Sequence, residues 1–90
     1  MTFEWDSRKA ALNLRRHEIS FDEASTAFGD LRSRTIRDPY HSIGEERFIL
    51  LGRSFRGRIV VVVHTERADR IRLISARKAT RAERRRYEEN

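Results

Sequence analysis

Residues 59–63 read Ile-Val-Val-Val-Val, five β-branched aliphatic side chains in a row with no polar residue among them. A strand with one wet face alternates apolar and polar positions, whereas a strand covered on both faces has no such need. The run therefore predicts a central strand, Arg58 to Thr65, with neighbours on either side. Gly52 to Gly57 supplies the turn region before it, and Arg47 to Leu51 the preceding strand. After the charged turn Glu66 to Arg70, Ile71 to Arg77 predicts the next strand, with Ile71 and Leu73 facing one way and Arg72 and Ile74 the other. Arg34 to Arg37 reads as an edge strand stopped by Asp38-Pro39. Being only five residues long, the apolar run is too short to cross a bilayer, and no membrane partner is expected.

Before Gly29 the period is helical. Thr2 to Trp5 alternates as a short strand, and Asp6 stands where an N-cap belongs, so a helix is predicted over Ser7 to His17 with Ala10, Ala11 and Leu14 as its apolar stripe. Ser20-Phe21-Asp22-Glu23 is a capping-box sequence opening a second helix, whose Phe21, Ala24 and Phe28 share one face and which Gly29 ends. Thr80-Arg81-Ala82-Glu83 is another, opening a last helix over Arg81 to Glu89. Only Ala82 and Tyr87 on that helix can pack, so it must lean on a neighbour. The predicted fold class is α+β, a small antiparallel sheet flanked by the N-terminal helices and a C-terminal helix.

A chain of 90 residues supports a single domain, residues 1–90, that buries about two-thirds of its unfolded surface. The absence of cysteine suits a reducing compartment, and charges from Glu4 onward leave no signal-peptide core, so a cytoplasmic protein is expected. Of the 20 basic residues 18 are arginine, whose planar fork grips phosphate through two hydrogen bonds. Residues 1–46 carry 7 basic and 9 acidic side chains, whereas residues 47–90 carry 13 and 5. The second half thus has the charge of a polyanion-binding surface, or else that of a solvated arginine-rich face.

No phosphate-binding glycine loop and no HxxxH or HExxH pair is present, and no serine stands in a nucleophile elbow. No cofactor and no metal site are expected. A basic half with titratable residues on strands meets the needs of RNA cleavage by the substrate's own 2′-OH. That reaction requires a base for the hydroxyl proton, cations for the phosphate and an acid for the leaving oxygen. With hairpins centred near Phe55 and Ala68, the carboxylate of Glu46, the imidazole of His64 and the guanidinium of Arg72 fall in one row across three strands. The alternative for His64 is that it ends a buried strand and bonds a backbone carbonyl. Arg67, Arg70, Arg72 and Arg77 cluster about one turn and strand as a phosphate site, and Arg47 either joins them or pairs with Glu45 or Glu66. The same charges would serve a non-catalytic RNA- or DNA-binding module, or one subunit of a larger complex.

Several stretches resemble the BrnT family of type II toxins: Phe3-Glu4-Trp5-Asp6; Lys9, Asn13-Leu14 and His17; Ser20-Phe21 with Glu23-Ala24; Glu45-Glu46-Arg47; Val62 to Arg67; and Arg72 to Thr80 with Glu83 and Tyr87. The resemblance implies a fold related to RelE-type ribonucleases, RNA cleavage that arrests translation, and neutralisation by a cognate BrnA antitoxin. It further implies that operator DNA is met only through the antitoxin complex. By that resemblance, catalytic roles fall on Glu46, Arg47, His64 and Arg72, and RNA contacts on Arg67, Arg77 and Lys9, with Arg70 added from the charge cluster.

Overall fold

The computed structural model describes residues 1–41 and 44–89. Its elements in chain order are strand β1 (Thr2–Glu4), helix α1 (Ser7–His17), helix α2 (Phe21–Thr26) with a 3₁₀ turn Ala27–Gly29, strands β2 (Arg34–Asp38), β3 (Arg47–Arg53), β4 (Ile59–Arg67) and β5 (Arg70–Lys78), and helix α3 (Arg81–Glu88). The five strands form one sheet in the order β1-β5-β4-β3-β2, which puts the apolar run at its centre. The sheet is mixed. β2 to β5 are antiparallel neighbours as expected, but β1 joins β5 in parallel. The α+β class holds, and the expectation of a purely antiparallel sheet is corrected at this one edge. A parallel pair needs a long connection, and here everything from α1 to the β4–β5 turn supplies it.

One face of the sheet carries the core. Leu50, Val60, Val62, Ile71, Leu73 and Ala76 meet Ile19, Phe21, Ala24 and Ala27. Gly52 lies on this face, where a Cβ would stand 3.0 Å from the carbonyl oxygen of Ala27, so only glycine lets β3 pass the 3₁₀ turn. The opposite face is partly open, with α3 leaning over it. A cavity of about 150 Å³ separates Glu83 and Arg86 of α3 from Ile36, Ile49, Leu51 and Val61 of the sheet. Tyr87 is the residue that seats this helix: it is buried, and its hydroxyl donates to Asp30 Oδ2 at 2.6 Å.

The caps form where the sequence places them, with two differences in what they bury. Asp6 accepts from the N–H groups of Arg8 and Lys9, at 2.8 and 3.1 Å. On α1, however, Ala11 and Leu14 are exposed, and the buried residue is Asn13. Its amide donates to the carbonyls of Ile19 (2.9 Å) and Ala76 (2.8 Å) and accepts from the N–H of Ala76 (2.9 Å). One side chain thus satisfies backbone groups of β5 and of the α1–α2 corner that no ladder reaches. The α3 capping box is complete on both sides. At α2 only half of it forms: Ser20 accepts from the N–H of Glu23, while the Glu23 carboxylate turns inward to Ser54 (2.7 Å) and Arg58 Nε (2.9 Å).

Strand register decides which side chains share a face. Arg47 pairs with Thr65 and Phe48 with His64. Across β4 and β5, Thr65 pairs with Arg72 and His64 with Leu73, with a bulge between Val63 and His64. The expected row of Glu46, His64 and Arg72 is therefore corrected. The first hairpin centres one residue later than Phe55, which shifts pairing by two and preserves the face. The second turns on two residues, Ala68 and Asp69, which shifts pairing by one and puts Arg72 on the face opposite His64.

Candidate active site

On the open face one transverse row crosses all five strands: Asp38 on β2, Arg47 on β3, Thr65 on β4, Arg72 on β5 and Glu4 on β1. Arg72 donates to Glu4 Oε2 at 3.0 Å, and Arg70 Nη1 lies 3.9 Å from Glu4 Oε1. Arg67 grips Glu45 through two hydrogen bonds, at 2.6 and 3.0 Å. Those bonds hold the Glu45 carboxyl below the usual carboxylate range, and the charges of Arg67, Arg72 and Arg47 push the same way. One carboxylate thus senses three guanidiniums from three strands. Asp6, capping α1, is held low chiefly by the Lys9 and Arg8 N–H groups, with Arg72 also within electrostatic reach.

The other predicted residues stand apart from the row. His64 is buried on the core face, with Phe28 edge-on (ring centroids 4.8 Å) and Phe48 stacked (5.8 Å). Burial lowers its pKa, and Nδ1 faces the carbonyl of Val62 at 3.4 Å. Glu46 pairs with Arg37 of the outermost strand at 3.3 Å. Arg77 lies nearer α3 and is clamped to Glu83 at 2.8 and 3.0 Å. Lys9 is exposed on α1, beside a hollow that includes Ile74 and Ser75. Of the four residues predicted to act together, the fold brings Arg47 and Arg72 into one row and leaves Glu46 and His64 outside it.

Glu4 and Thr65 were given no role in the site by the sequence, and Glu45 only that of an alternative partner for Arg47. Glu4 and Arg72 are 68 positions apart and meet only through the parallel β1–β5 pair, which leaves no local signal. The arginine cluster is also less starved of anions than charge counting implied. Carboxylates occupy Arg67, Arg72 and Arg77, where a phosphate was expected. A carboxylate and a phosphate offer a guanidinium the same pair of oxygens.

A family model described as ribonuclease toxin, BrnT, of type II toxin-antitoxin system matches residues 5–83. The chain belongs to the BrnT family. That match spans β2 to β5, and with them every residue of the Arg47, Thr65, Arg67, Arg70, Arg72 and Arg77 group. Among solved structures, the Brucella abortus ribonuclease toxin BrnT superposes with a TM-score of 0.71 over 90% of this chain and 99% of that one, at 22% identity. At that identity the likeness establishes the BrnT fold. No curated protein sequence matches the chain.

Proposed function

We propose that this BrnT-family protein is a metal-independent endoribonuclease that acts in the cytoplasm, and that its open sheet face is the active surface. The observation that carries the reading is the Glu45 carboxylate among Arg67, Arg72 and Arg47, on the face left uncovered beyond α3. An RNA phosphate arriving there exchanges with Glu4 and Glu45 for the guanidiniums. Arg47 and Arg72 then stabilise the charge that develops on the phosphate oxygens as the 2′-OH attacks phosphorus and the P–O5′ bond breaks, giving a 2′,3′-cyclic phosphate and a 5′-oxygen that takes its proton from water. Released from Arg67, the Glu45 carboxyl loses the interaction that depresses it and becomes a stronger base for the 2′-OH proton. Arg67, Arg70 and Arg77 extend the grip along the RNA backbone.

Cleavage of transcripts in this way arrests translation. A BrnA-type antitoxin encoded beside the toxin neutralises it, and the complex reaches operator DNA through the antitoxin. The alternative, a basic module that binds nucleic acid without cutting it, has no use for a carboxylate base on the phosphate-binding face.

Purified protein incubated with RNA in EDTA tests the reading. Cleavage is expected, with 2′-deoxy substrate bound but uncut. Glu45→Gln should lower kcat by about 10²-fold or more while retaining RNA binding, and Arg72→Ala should lower kcat by as much and weaken RNA binding as well. Intact RNA after prolonged incubation, or wild-type turnover in both variants, would overturn it.

A further inference from the structure

On the open face, β4 presents Val61, Val63 and then Thr65. Valine and threonine have nearly the same shape, so a third valine would complete the pattern without disturbing the packing. Threonine adds one hydroxyl, and Thr65 is only 1% exposed. Its Oγ1 is the one buried side-chain oxygen or nitrogen among the described residues that has no hydrogen-bond partner. Buried hydroxyls are ordinarily paired, and one that is not calls for an explanation.

The neighbours of this hydroxyl supply one. Thr65 is directly opposite Arg47 on one side and Arg72 on the other, which places each arginine Cβ about 4.5–5.5 Å from its own. Arg72 is engaged with Glu4 at 3.0 Å, a carboxylate in the place of an oxyanion. A β-branched side chain on the central strand is stiff at χ1, so the hydroxyl is presented between the two arginine positions at little entropic cost. Guanidiniums donate and never accept, so neither arginine can take the hydroxyl's proton, and a ligand that spans all three groups must bring acceptor oxygens.

We propose that Thr65 forms the floor of a phosphate site walled by Arg47 and Arg72, its hydroxyl donating to a non-bridging oxygen of an RNA phosphodiester. This rests on the ribonuclease reading for the nature of the ligand, and adds the residue that fixes the phosphate's depth and orientation. Binding requires Arg72 to turn from Glu4 to the phosphate, the exchange that also uncovers the hydroxyl. Thr65 is thus a substrate-binding residue that stays unsatisfied until substrate arrives.

Thr65→Val, Thr65→Ser and Thr65→Ala are compared with wild type by three measurements: Tm in anion-free buffer, Kd for a non-cleavable 2′-O-methyl oligoribonucleotide, and the Tm rise on adding inorganic phosphate. Without anion, Thr65→Val should melt at or above the wild-type temperature, because it removes an unpaired buried hydroxyl. It should bind the oligonucleotide about 10-fold more weakly or worse, and its Tm should respond less to phosphate. Serine should bind within about threefold of wild type, and alanine should lose binding like valine. Equal oligonucleotide binding by Thr65→Val and wild type would overturn the proposal, as would a valine protein that fails to fold while alanine binds normally. A valine defect confined to inorganic phosphate would make the site one for a free anion and sink the RNA assignment. Should wild type bind RNA in the predicted rank order yet never cut it, the ribonuclease reading fails while the phosphate site stands.

Discussion

Replacing Asn13 by alanine removes one side chain from α1 and leaves three backbone groups stranded. The carbonyl of Ile19 and both the N–H and the carbonyl of Ala76 lose their partner, and both residues are fully buried. A buried polar group left without its hydrogen bond costs about 1–3 kcal/mol. Water entering the small space left behind recovers part of that, so the sum is about 3–6 kcal/mol. The whole stability of a chain this long is roughly 5–13 kcal/mol, so the variant keeps a native state only marginally, if at all. Urea titration followed by Trp5 fluorescence measures the change. With an m-value of about 1 kcal/mol/M, the midpoint should fall by about 3 M or more. Asn13→Asp separates the roles of the amide. Its carboxylate still accepts from the N–H of Ala76 but faces two carbonyls it cannot satisfy. It should be as damaged as alanine at neutral pH and recover partly in acid, where a protonated carboxyl donates once. A midpoint for Asn13→Ala within 1 M of wild type would refute the claim that this amide ties α1 to the strand carrying Arg72.

Three further outcomes follow from the ionisable and polar groups. Arg77 pulls the Glu83 carboxyl down to about 2 from an unfolded value of 4.5. Its contribution to stability is therefore complete above pH 4.5 and lost as pH falls from 4.5 towards 2. Arg77 is 43% exposed, so screening leaves about 1–2 kcal/mol, and Glu83→Gln should flatten acid unfolding over that range. His64 has the opposite charge change but the same direction of pH effect. Burial lowers its pKa below 6.5, so the unfolded chain binds the proton first and stability declines as pH drops through 6.5. His64→Leu should remove that decline in urea titrations across pH 5–7 and retain wild-type RNA cleavage; a loss of kcat without a loss of stability would show that the imidazole acts in catalysis. Tyr87→Phe forfeits the hydrogen bond to Asp30, costing about 1–2 kcal/mol, and amide exchange in α3 should accelerate more than in β4.

The elements were legible because their signals are local: the Ile59–Val63 run, the Asp6 cap and the Thr80–Glu83 box each act within a few residues. Register was not. It depends on whether a turn has two residues or three, and Ala68, with φ of 54°, occupies a left-handed position without being the glycine or asparagine that would announce it. The bulge at Val63 and His64 has no sequence mark either. For the site, the arginines were readable as charge, whereas the carboxylates that answer them were not, since Glu45 and Arg67 lie 22 positions apart. The structural role of Asn13 carries no local signal for the same reason: its three backbone partners belong to Ile19 and Ala76, on other parts of the fold.

The parallel seam between β1 and β5 also orders the assembly of the sheet. Thr2, Phe3 and Glu4 pair with Arg70, Ile71 and Arg72, and Glu4 and Arg72 are 68 positions apart. Closing so large a loop is slow, and β1 must wait, unpaired, until β5 has been made. Until β1 joins, Arg72 has Thr65 of β4 opposite it but lacks its carboxylate, Glu4. β1 is thus the last strand to join the sheet, and its arrival is what gives Arg72 an anion of its own.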